Sequence, residues 1–260
     1  VPPADAVLAL HGIEVDPLAA EVARAATALW SGGRPASVSV ADFLTVDATA
    51  EVDAVVGNPP FASPLRAATS RSADGPGAYT DTAGLFLLRA LDRVRSGGRV
   101  GLIQPQSVLA ARDAEPVRRA VAAWGALRGL WVAEARVFPA ATHVVGVIAE
   151  RDARPGPVAL YGGPAVVPRG TSTPERGAGT PTTWGELATR ARGVPGVSLA
   201  AAPTVGDEAV VAAGFRRQYY GLVDHVTEGG DGAPVVTVGL IDPGSCRWGE
   251  RPTRIRGRRW

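Results

Sequence analysis

The residue with the clearest chemical potential is Asn58, the only asparagine in the 260-residue chain. It opens the sequence Asn58-Pro59-Pro60-Phe61, directly after the apolar run Val52–Val56. Because proline has a fixed φ and no N–H, two successive prolines form a stiff turn that presents carbonyl oxygens. The Asn58 side chain adds another carbonyl acceptor, and Phe61 adds a flat apolar face. This cluster of acceptors suits the NH₂ group of a substrate.

The exocyclic amine of adenine is a poor nucleophile, because its lone pair is delocalised into the ring. Two acceptors that grip its hydrogens would localise the pair, so that the nitrogen could attack a strong electrophile such as a sulfonium methyl group. Positioning and electrostatics suffice for this chemistry, and no tuned general base is needed. The alternative is an ordinary strand-to-loop turn, since Asn-Pro is a common turn dipeptide.

Two acidic residues stand at the ends of earlier predicted strands. Glu14 lies at the end of His11–Val15, and Asp42 follows Ser37–Val40. In open α/β sheets, ligands lie at the carboxyl ends of the strands, where an acidic residue commonly binds ribose hydroxyls. Asp42 could accept a hydrogen bond from an adenine amino group, with Phe43 on the ring. Each acid taken alone is also explained as a solvated residue at a strand end.

The elements that position these residues alternate between strand and helix from residue 11 to about residue 124. This alternation is typical of a doubly wound α/β sheet. Apolar residues at helical spacing predict helices at Thr82–Val94 and Ala114–Ala123. Two later strands, Leu127–Val132 and Val144–Ala149, have little helix between them and predict a hairpin at one edge of the sheet.

The chain is expected to divide into three parts. Residues 1–151 are predicted to form the catalytic domain, and residues 152–205 are rich in Pro, Gly and Thr and read as a linker. Residues 206–260 read as the start of a second module, which contains Phe215–Val226 and a short strand at Val235–Val238.

Composition excludes several classes of site. The net charge of +2 is too small to name a partner, although an arginine-rich stretch covers residues 247–259. The single cysteine, Cys246, excludes an internal disulfide and suggests a reducing cytoplasm. One cysteine and three scattered histidines predict no zinc site. No apolar run is long enough for a membrane span.

The segments GIEVDP, ADFL and NPPF, in this order, resemble motifs II, III and IV of the amino-group DNA methyltransferases. More narrowly, they resemble the gamma-type N6-adenine enzymes of restriction–modification systems. The segments GLFLLRALDRVRSGGRVGLIQPQSVL and RVFPAATHVVGVIAER are similar to later parts of that family. The resemblance covers residues 8–151. A weaker likeness relates residues 214–226 and 234–254 to the stretch that leads into target recognition in large bacterial enzymes.

The resemblance implies S-adenosyl-L-methionine as cofactor and double-stranded DNA as partner, in the cytoplasm, with a fused or associated restriction nuclease. The resemblance also implies a role for each motif residue. Glu14 would hold the ribose, and Val15 would also belong to the cofactor site. Asp42 and Phe43 would lie at the cofactor adenine, and Asn58 beside the cofactor as well as the target. Asn58, Pro59, Pro60 and Phe61 would form the catalytic turn, and Phe61 and Phe138 would stack on the flipped target base. An ordinary core aromatic is the alternative for Phe138.

The Gly-rich motif I of this family, on its central first strand, has no counterpart in residues 1–10. The fold expected is therefore a Rossmann-like methyltransferase sheet without that strand, and the 260-residue chain alone is expected to show weak or no activity.

Two other functions stay open at this point. NPPF-type motifs also resemble those of methyltransferases that act on RNA guanine or on protein glutamine, although the long segment after Ile148 argues against these small enzymes. A non-catalytic DNA-binding remnant, which uses the arginine tail on phosphates, is the alternative from a different class.

Overall fold

A computed structural model describes residues 5–47, 51–61, 81–138, 142–173, 183–195, 205–210, 225–229, 231–255 and 258–259. The chain divides into two compact units, Val1–Val197 and Ser198–Trp260. The first unit contains two separate sheets, one of two strands and one of six.

The two-stranded sheet joins β1 (His11–Glu14) and β2 (Ser37–Val40), which run parallel with Glu14 opposite Val40. Helix α1 (Pro17–Ser31) connects them. Asp16 caps this helix, because its carboxylate accepts from the backbone N–H groups of the first turn. Gly32 ends it with a φ of +80°, a left-handed conformation that favours glycine. The segment after β2, residues 41–47, is called the β2 loop below.

The six-stranded sheet has the order β3-β4-β6-β5-β7-β8. Its strands are β3 (Val52–Gly57), β4 (Val94–Pro105), β5 (Gly125–Val132), β6 (Val144–Arg151), β7 (Val158–Gly162) and β8 (Val167–Ser172). The pairings make β3, β4, β5 and β7 run in one direction, and β6 and β8 in the other. The carboxyl ends of four strands therefore meet at one edge, and this edge carries the candidate site.

Three helices pack with this sheet: α2 (Thr82–Arg93), α3 (Glu115–Trp124) and α4 (Gly185–Ala191). One continuous core joins Leu87 of α2, Val121 of α3 and Leu187 of α4 to alternate residues of the strands. Short 3₁₀ turns cover Ala6–Ala9, Gln106–Leu109 and Arg112–Ala114. The expected α/β class is confirmed.

The further strand that the resemblance implies stays a prediction, and the pairings show only which strand sides have no described partner. Among the described residues, β1 pairs with β2 alone and β3 pairs with β4 alone. Each of these strands therefore keeps one unpaired edge. The resemblance places a further strand between them.

The structure differs from the expected linker over residues 152–205. Strands β7 and β8 extend the six-stranded sheet, and Trp184 and Leu187 of the α4 region lie in its core. The β5–β6 hairpin forms as expected, with antiparallel pairing, but it lies inside the sheet because β7 pairs with the other side of β5. The first compact unit accordingly reaches Val197 instead of ending at residue 151.

The second unit contains α5 (Val205–Glu208), a 3₁₀ turn at Val238–Leu240 and two hairpins. The hairpins pair β9 (Ile241–Asp242) with β10 (Ser245–Cys246), and β11 (Arg254–Ile255) with β12 (Arg258–Arg259). The strand expected at Val235–Val238 is wrong, because this stretch is irregular and leads into the 3₁₀ turn. Most of Phe215–Val226 lies outside the described residues.

Candidate active site at the strand tips

Asn58 follows β3 at the carboxyl edge of the six-stranded sheet. The last residue of β3, Gly57, is paired with Leu102 of β4, so the position of the strand tip is fixed by the sheet. The Asn58 side chain is exposed and makes no hydrogen bond to another described residue. Pro59 behind it is buried, which anchors the turn. The carboxamide is therefore accessible at the tip of β3.

The other residues of the turn differ in exposure. Pro60 is exposed and Phe61 is half-buried. Phe61 is the last described residue before residue 81. Its ring is partly accessible at the same strand tip as Asn58, and this position is compatible with stacking on a flat substrate.

Glu14 and Asp42 lie together at the carboxyl end of the two-stranded sheet. The Ala41 N–H donates to the Glu14 carbonyl at 3.0 Å, which places the two acids at neighbouring strand ends. One oxygen of the Glu14 carboxylate accepts from the Asp16 N–H at 3.0 Å. One oxygen of Asp42 accepts from the Leu44 N–H at 2.9 Å. Each carboxylate holds its own local turn with one oxygen.

The two acids fit one part of S-adenosylmethionine. Paired carboxylate acceptors at adjacent strand ends suit the hydroxyls of a ribose and the amine of an adenine. Val15, the next predicted cofactor residue, is exposed beside Glu14. We assign no described residue at these two strand ends to the methionine end of the cofactor. The fit therefore covers the nucleoside half of the molecule.

Phe43, expected on the cofactor adenine, packs inside the protein. Its ring stacks on Phe86 of α2 with centroids 5.1 Å apart and planes 22° apart. The guanidinium of Arg93 lies 5.3 Å from its centroid. The ring remains half-buried, so contact with a nucleoside through its exposed part stays a prediction.

Phe138 lies beyond the carboxyl end of β5 and is half-buried. In the order of the sheet, β5 is separated from β3 by β4 and β6. The axes of β3 and β5 are consequently about 14 Å apart, at roughly 4.8 Å for each strand step. The described residues show no ring contact between Phe138 and Phe61. Their joint action on one base stays a prediction.

Gln104 was missed by the sequence analysis although it lies near Asn58. It is fully buried at the end of β4, two positions beyond the residue that pairs with Gly57. Its Nε2 donates to the Ala83 carbonyl at 2.9 Å, while its Oε1 has no partner among the described residues. The signal was available in the sequence, since a glutamine ends an otherwise apolar strand before Pro105.

Asp81 caps the start of α2 near the same edge. Its carboxylate accepts from the Ala83 N–H at 2.9 Å. Burial raises the pKa of the Asp81 carboxyl above its ordinary value, and the hydrogen bond from Ala83 opposes this shift. Gln104 and Asp81 together fix the first turn of α2 against the strand tips.

Other kinds of site find no support in the described part of the chain. No group of three or more His, Cys, Asp or Glu side chains there could hold a metal ion. None of the described helices combines the length and apolar character needed to cross a membrane. Cys246 is exposed and free.

The model of the N-6 DNA methylase family matches residues 4–148, which is more than half of the 260-residue chain. The matched region includes Glu14, Asp42, Asn58 and Phe138. No curated protein sequence matches the chain.

Several solved structures resemble the chain. A Listeria monocytogenes protein assigned to the class I S-adenosylmethionine-dependent methyltransferases has 19% identity and a TM-score of 0.48, over 60% of this chain and 51% of that protein. A type I restriction-modification methyltransferase subunit from Streptococcus thermophilus has 18% identity and a TM-score of 0.47, over 58% and 36%. The M protein of the type I restriction enzyme EcoKI has 16% identity and a TM-score of 0.45, over 70% and 40%. This chain spans about half or less of each of these proteins.

Proposed function

The chain belongs to the N-6 DNA methylase family, and we propose that it carries the catalytic turn of an enzyme that methylates the N6 amine of adenine in double-stranded DNA. The observation that supports this most is the exposed Asn58 carboxamide, which is free of described hydrogen bonds at the tip of β3. The methyl donor of the proposed reaction is S-adenosyl-L-methionine.

In the proposed mechanism, Asn58 Oδ1 and the Pro59 carbonyl accept hydrogen bonds from the two hydrogens of the target amine. These bonds localise the lone pair on nitrogen, as preorganised acceptors do for a developing positive charge. S-adenosylmethionine supplies an electrophilic methyl group on sulfur. A nitrogen–carbon bond forms as the carbon–sulfur bond breaks, and the methylated amine then loses a proton to water. The stiff Pro59-Pro60 turn keeps both acceptors in place throughout.

The target base must leave the duplex before this chemistry, because its amine is otherwise inside the helix. Phe61 and Phe138 are proposed to stack on the flipped base, and both rings are partly accessible. Glu14, with Val15 beside it, is proposed to bind the cofactor ribose. The Asp42 carboxylate is proposed to bind the cofactor adenine, with Phe43 behind it.

The biological setting is part of the same proposal. Methyltransferases of restriction–modification systems work with a nuclease that is fused to them or associated with them, and we place this chain in such a system. Residues 206–260 would begin the part that recognises the DNA sequence. We also propose a cytoplasmic location. Because the chain spans only part of the similar solved structures, these statements concern the complete product of its gene.

The experiment that tests this function measures transfer of a labelled methyl group by the complete gene product to DNA, ribosomal RNA and a glutamine-containing peptide. We expect label on DNA alone. Asn58→Ala should reduce transfer by about 10²–10³-fold, as loss of a single transition-state hydrogen-bonding group does elsewhere. Glu51→Gln, near the opposite end of β3, is the matched control and should retain transfer.

Each competing function has its own outcome in this experiment. Label on RNA or on the peptide would replace the DNA assignment with an RNA or protein methyltransferase. DNA binding without any transfer, unaffected by Asn58→Ala, would support the non-catalytic remnant.

A further inference from the structure

The β2 loop is fastened to helix α2 by two arginines. Nη2 of Arg89 donates to the Val46 carbonyl at 3.0 Å, and Arg93 donates to the same carbonyl. The Arg93 guanidinium also lies over the ring of Phe43, 5.3 Å from its centroid. Phe43 in turn stacks on Phe86. Positions 86, 89 and 93 lie on one face of α2, so a single helix face holds the loop.

This fastening has an energetic cost. Arg93 is only 8% exposed, so its charge is largely removed from water. Burial lowers the pKa of its guanidinium, and repulsion from Arg89 acts in the same direction, whereas Asp92 and Asp47 oppose it. Nε and Nη1 of Arg93 and Nε of Arg89 have no hydrogen-bond partner among the described residues. An apolar side chain would avoid this cost, so packing alone does not explain an arginine here.

The fastened carbonyl belongs to the same tight turn as Asp42. The Asp42 carbonyl accepts from the Thr45 N–H at 3.1 Å and from the Val46 N–H at 2.8 Å. Fixing Val46 therefore fixes the backbone of Asp42. The direction of the Asp42 carboxylate is then fixed as well, because one of its oxygens accepts a hydrogen bond from the Leu44 N–H.

The N-terminal end of α2 contacts the strand pair that leads to Asn58. The Ala83 carbonyl accepts from Gln104 at the end of β4, and β4 pairs with β3 up to Gly57. Asn58 comes next in the chain. One helix thus contacts both the loop that carries Asp42 and the strand pair that carries Asn58. Among the described residues, no strand pairing joins the two sheets, so this helix is a direct link between the two halves.

We propose that Arg93, assisted by Arg89, is a positioning residue that holds Asp42 at a fixed distance from Asn58, so that cofactor and target amine meet. This inference rests on the proposed function of the site. Arg93 touches neither reactant and acts through the β2 loop.

The first test uses the 260-residue chain without any ligand. Hydrogen exchange is measured for the amides of Thr45 and Val46 in the wild type, Arg93→Met and Arg93→Lys. Arg93→Met should speed this exchange about tenfold or more, since it removes a charge-assisted hydrogen bond of roughly that strength. Arg93→Lys keeps a cation and should fall between the two. Arg95→Met, an exposed arginine paired with Asp53, is the control and should change nothing. Unchanged exchange in Arg93→Met would overturn the proposal.

The second test separates positioning from general support of the fold. Equilibrium dialysis measures the Kd of S-adenosylhomocysteine for the complete gene product, together with the Kd of a DNA duplex. Arg93→Met should raise the first Kd about tenfold, the scale of one charge-assisted hydrogen bond, and leave the second unchanged. Arg93→Lys should recover part of the loss. A loosened loop with an unchanged Kd for S-adenosylhomocysteine would overturn the positioning role while leaving the proposed function intact.

If Arg93→Met does not fold, both measurements are made on Arg89→Met. The same direction of change is expected, with a smaller effect because the Arg89 guanidinium is less buried. If the wild-type gene product binds no S-adenosylhomocysteine, the proposed function itself fails, and with it the premise of this inference.

Discussion

In the first unit, strands with two neighbours and strands with one neighbour both contain apolar residues but are buried to very different degrees. In β6 of the six-stranded sheet, Val145, Val147 and Ala149 are fully buried. In β3, which is paired on one side only, Val56 is 82% exposed. Val40 of the two-stranded sheet is also exposed. Burial therefore depends on whether a strand has neighbours on both sides and a helix above it, and apolar sequence alone does not secure it.

The exposed apolar residues lie on strands that pair on one side alone in the described part of the chain, and on helix α1. Strands β1 and β3 each have one described neighbour, and α1 exposes Leu18, Val22 and Leu29. The six-stranded sheet carries Asn58, and the two-stranded sheet carries Glu14 and Asp42, which we propose bind the nucleoside half of the cofactor. Because of this difference in burial, substitutions around the six-stranded sheet and around the two-stranded sheet should change the free energy of unfolding by different amounts.

The largest difference is expected for matched leucine truncations in two helices. Leu87→Ala in α2 removes a fully buried side chain and should lower the free energy of unfolding by about 2–5 kcal/mol. Leu29→Ala in α1 removes a side chain that is 85% exposed and should change it by less than about 0.5 kcal/mol. Urea denaturation of both variants measures the two values. If both substitutions lowered the free energy of unfolding equally, Leu29 would be buried in solution, and the two helices would not differ in burial.

A smaller difference is expected at two neighbouring strand tips. Gln104→Ala leaves the Ala83 carbonyl without its donor and should cost about 1–3 kcal/mol. Asn58→Ala removes a side chain with no described hydrogen bond and should be neutral within about 0.5 kcal/mol. Thermal unfolding checks both. A large loss for Asn58→Ala would mean that its carboxamide supports the fold, and its effect on methyl transfer could then not be assigned to chemistry.

The smallest effect is a pH dependence at the start of α2. Since burial raises the pKa of Asp81, the folded state prefers the protonated carboxyl. The resulting stability is present below the ordinary pKa of 3.8 and is lost as the pH rises through the raised value. Asp81→Asn caps equally well and cannot ionise, so its Tm should exceed that of the wild type at pH 7, with the difference vanishing in acid.

The control for this prediction is Asp16→Asn, the corresponding cap of the exposed helix α1. Water still reaches the Asp16 carboxylate, so no gain at pH 7 is expected. An equal gain in Tm at pH 7 for Asp81→Asn and Asp16→Asn would mean that helix capping in general, and not burial of Asp81, causes the effect.

Much of the fold was predictable because its signals are local. Val52–Val56 and Val144–Ala149 are apolar runs of strand length, and both lie in strands of the six-stranded sheet. Strand β7 was missed because its sequence is short and flanked by glycine and proline. Conversely, Val235–Val238 has β-branched residues but forms no strand, since a strand also needs a partner.

The candidate site was predictable to the level of strand ends. The placement of Asn58, Glu14 and Asp42 at such ends follows from the period of the strands around them. The packing of Phe43 on Phe86 was not predictable, because it depends on how α2 meets the β2 loop. The same holds for the contact of Arg93 with Val46, which joins residues 47 positions apart.

We propose that Asn58 and Pro59 grip the exocyclic amine of adenine. The most direct test digests double-stranded DNA to nucleosides after incubation with the complete gene product and S-adenosylmethionine, and identifies the methylated nucleoside by mass spectrometry. We expect N6-methyl-2′-deoxyadenosine with the wild type, formed about 10²–10³-fold more slowly with Asn58→Ala. A methyl group on any other base atom, or N6-methylation at the wild-type rate in Asn58→Ala, would contradict this role.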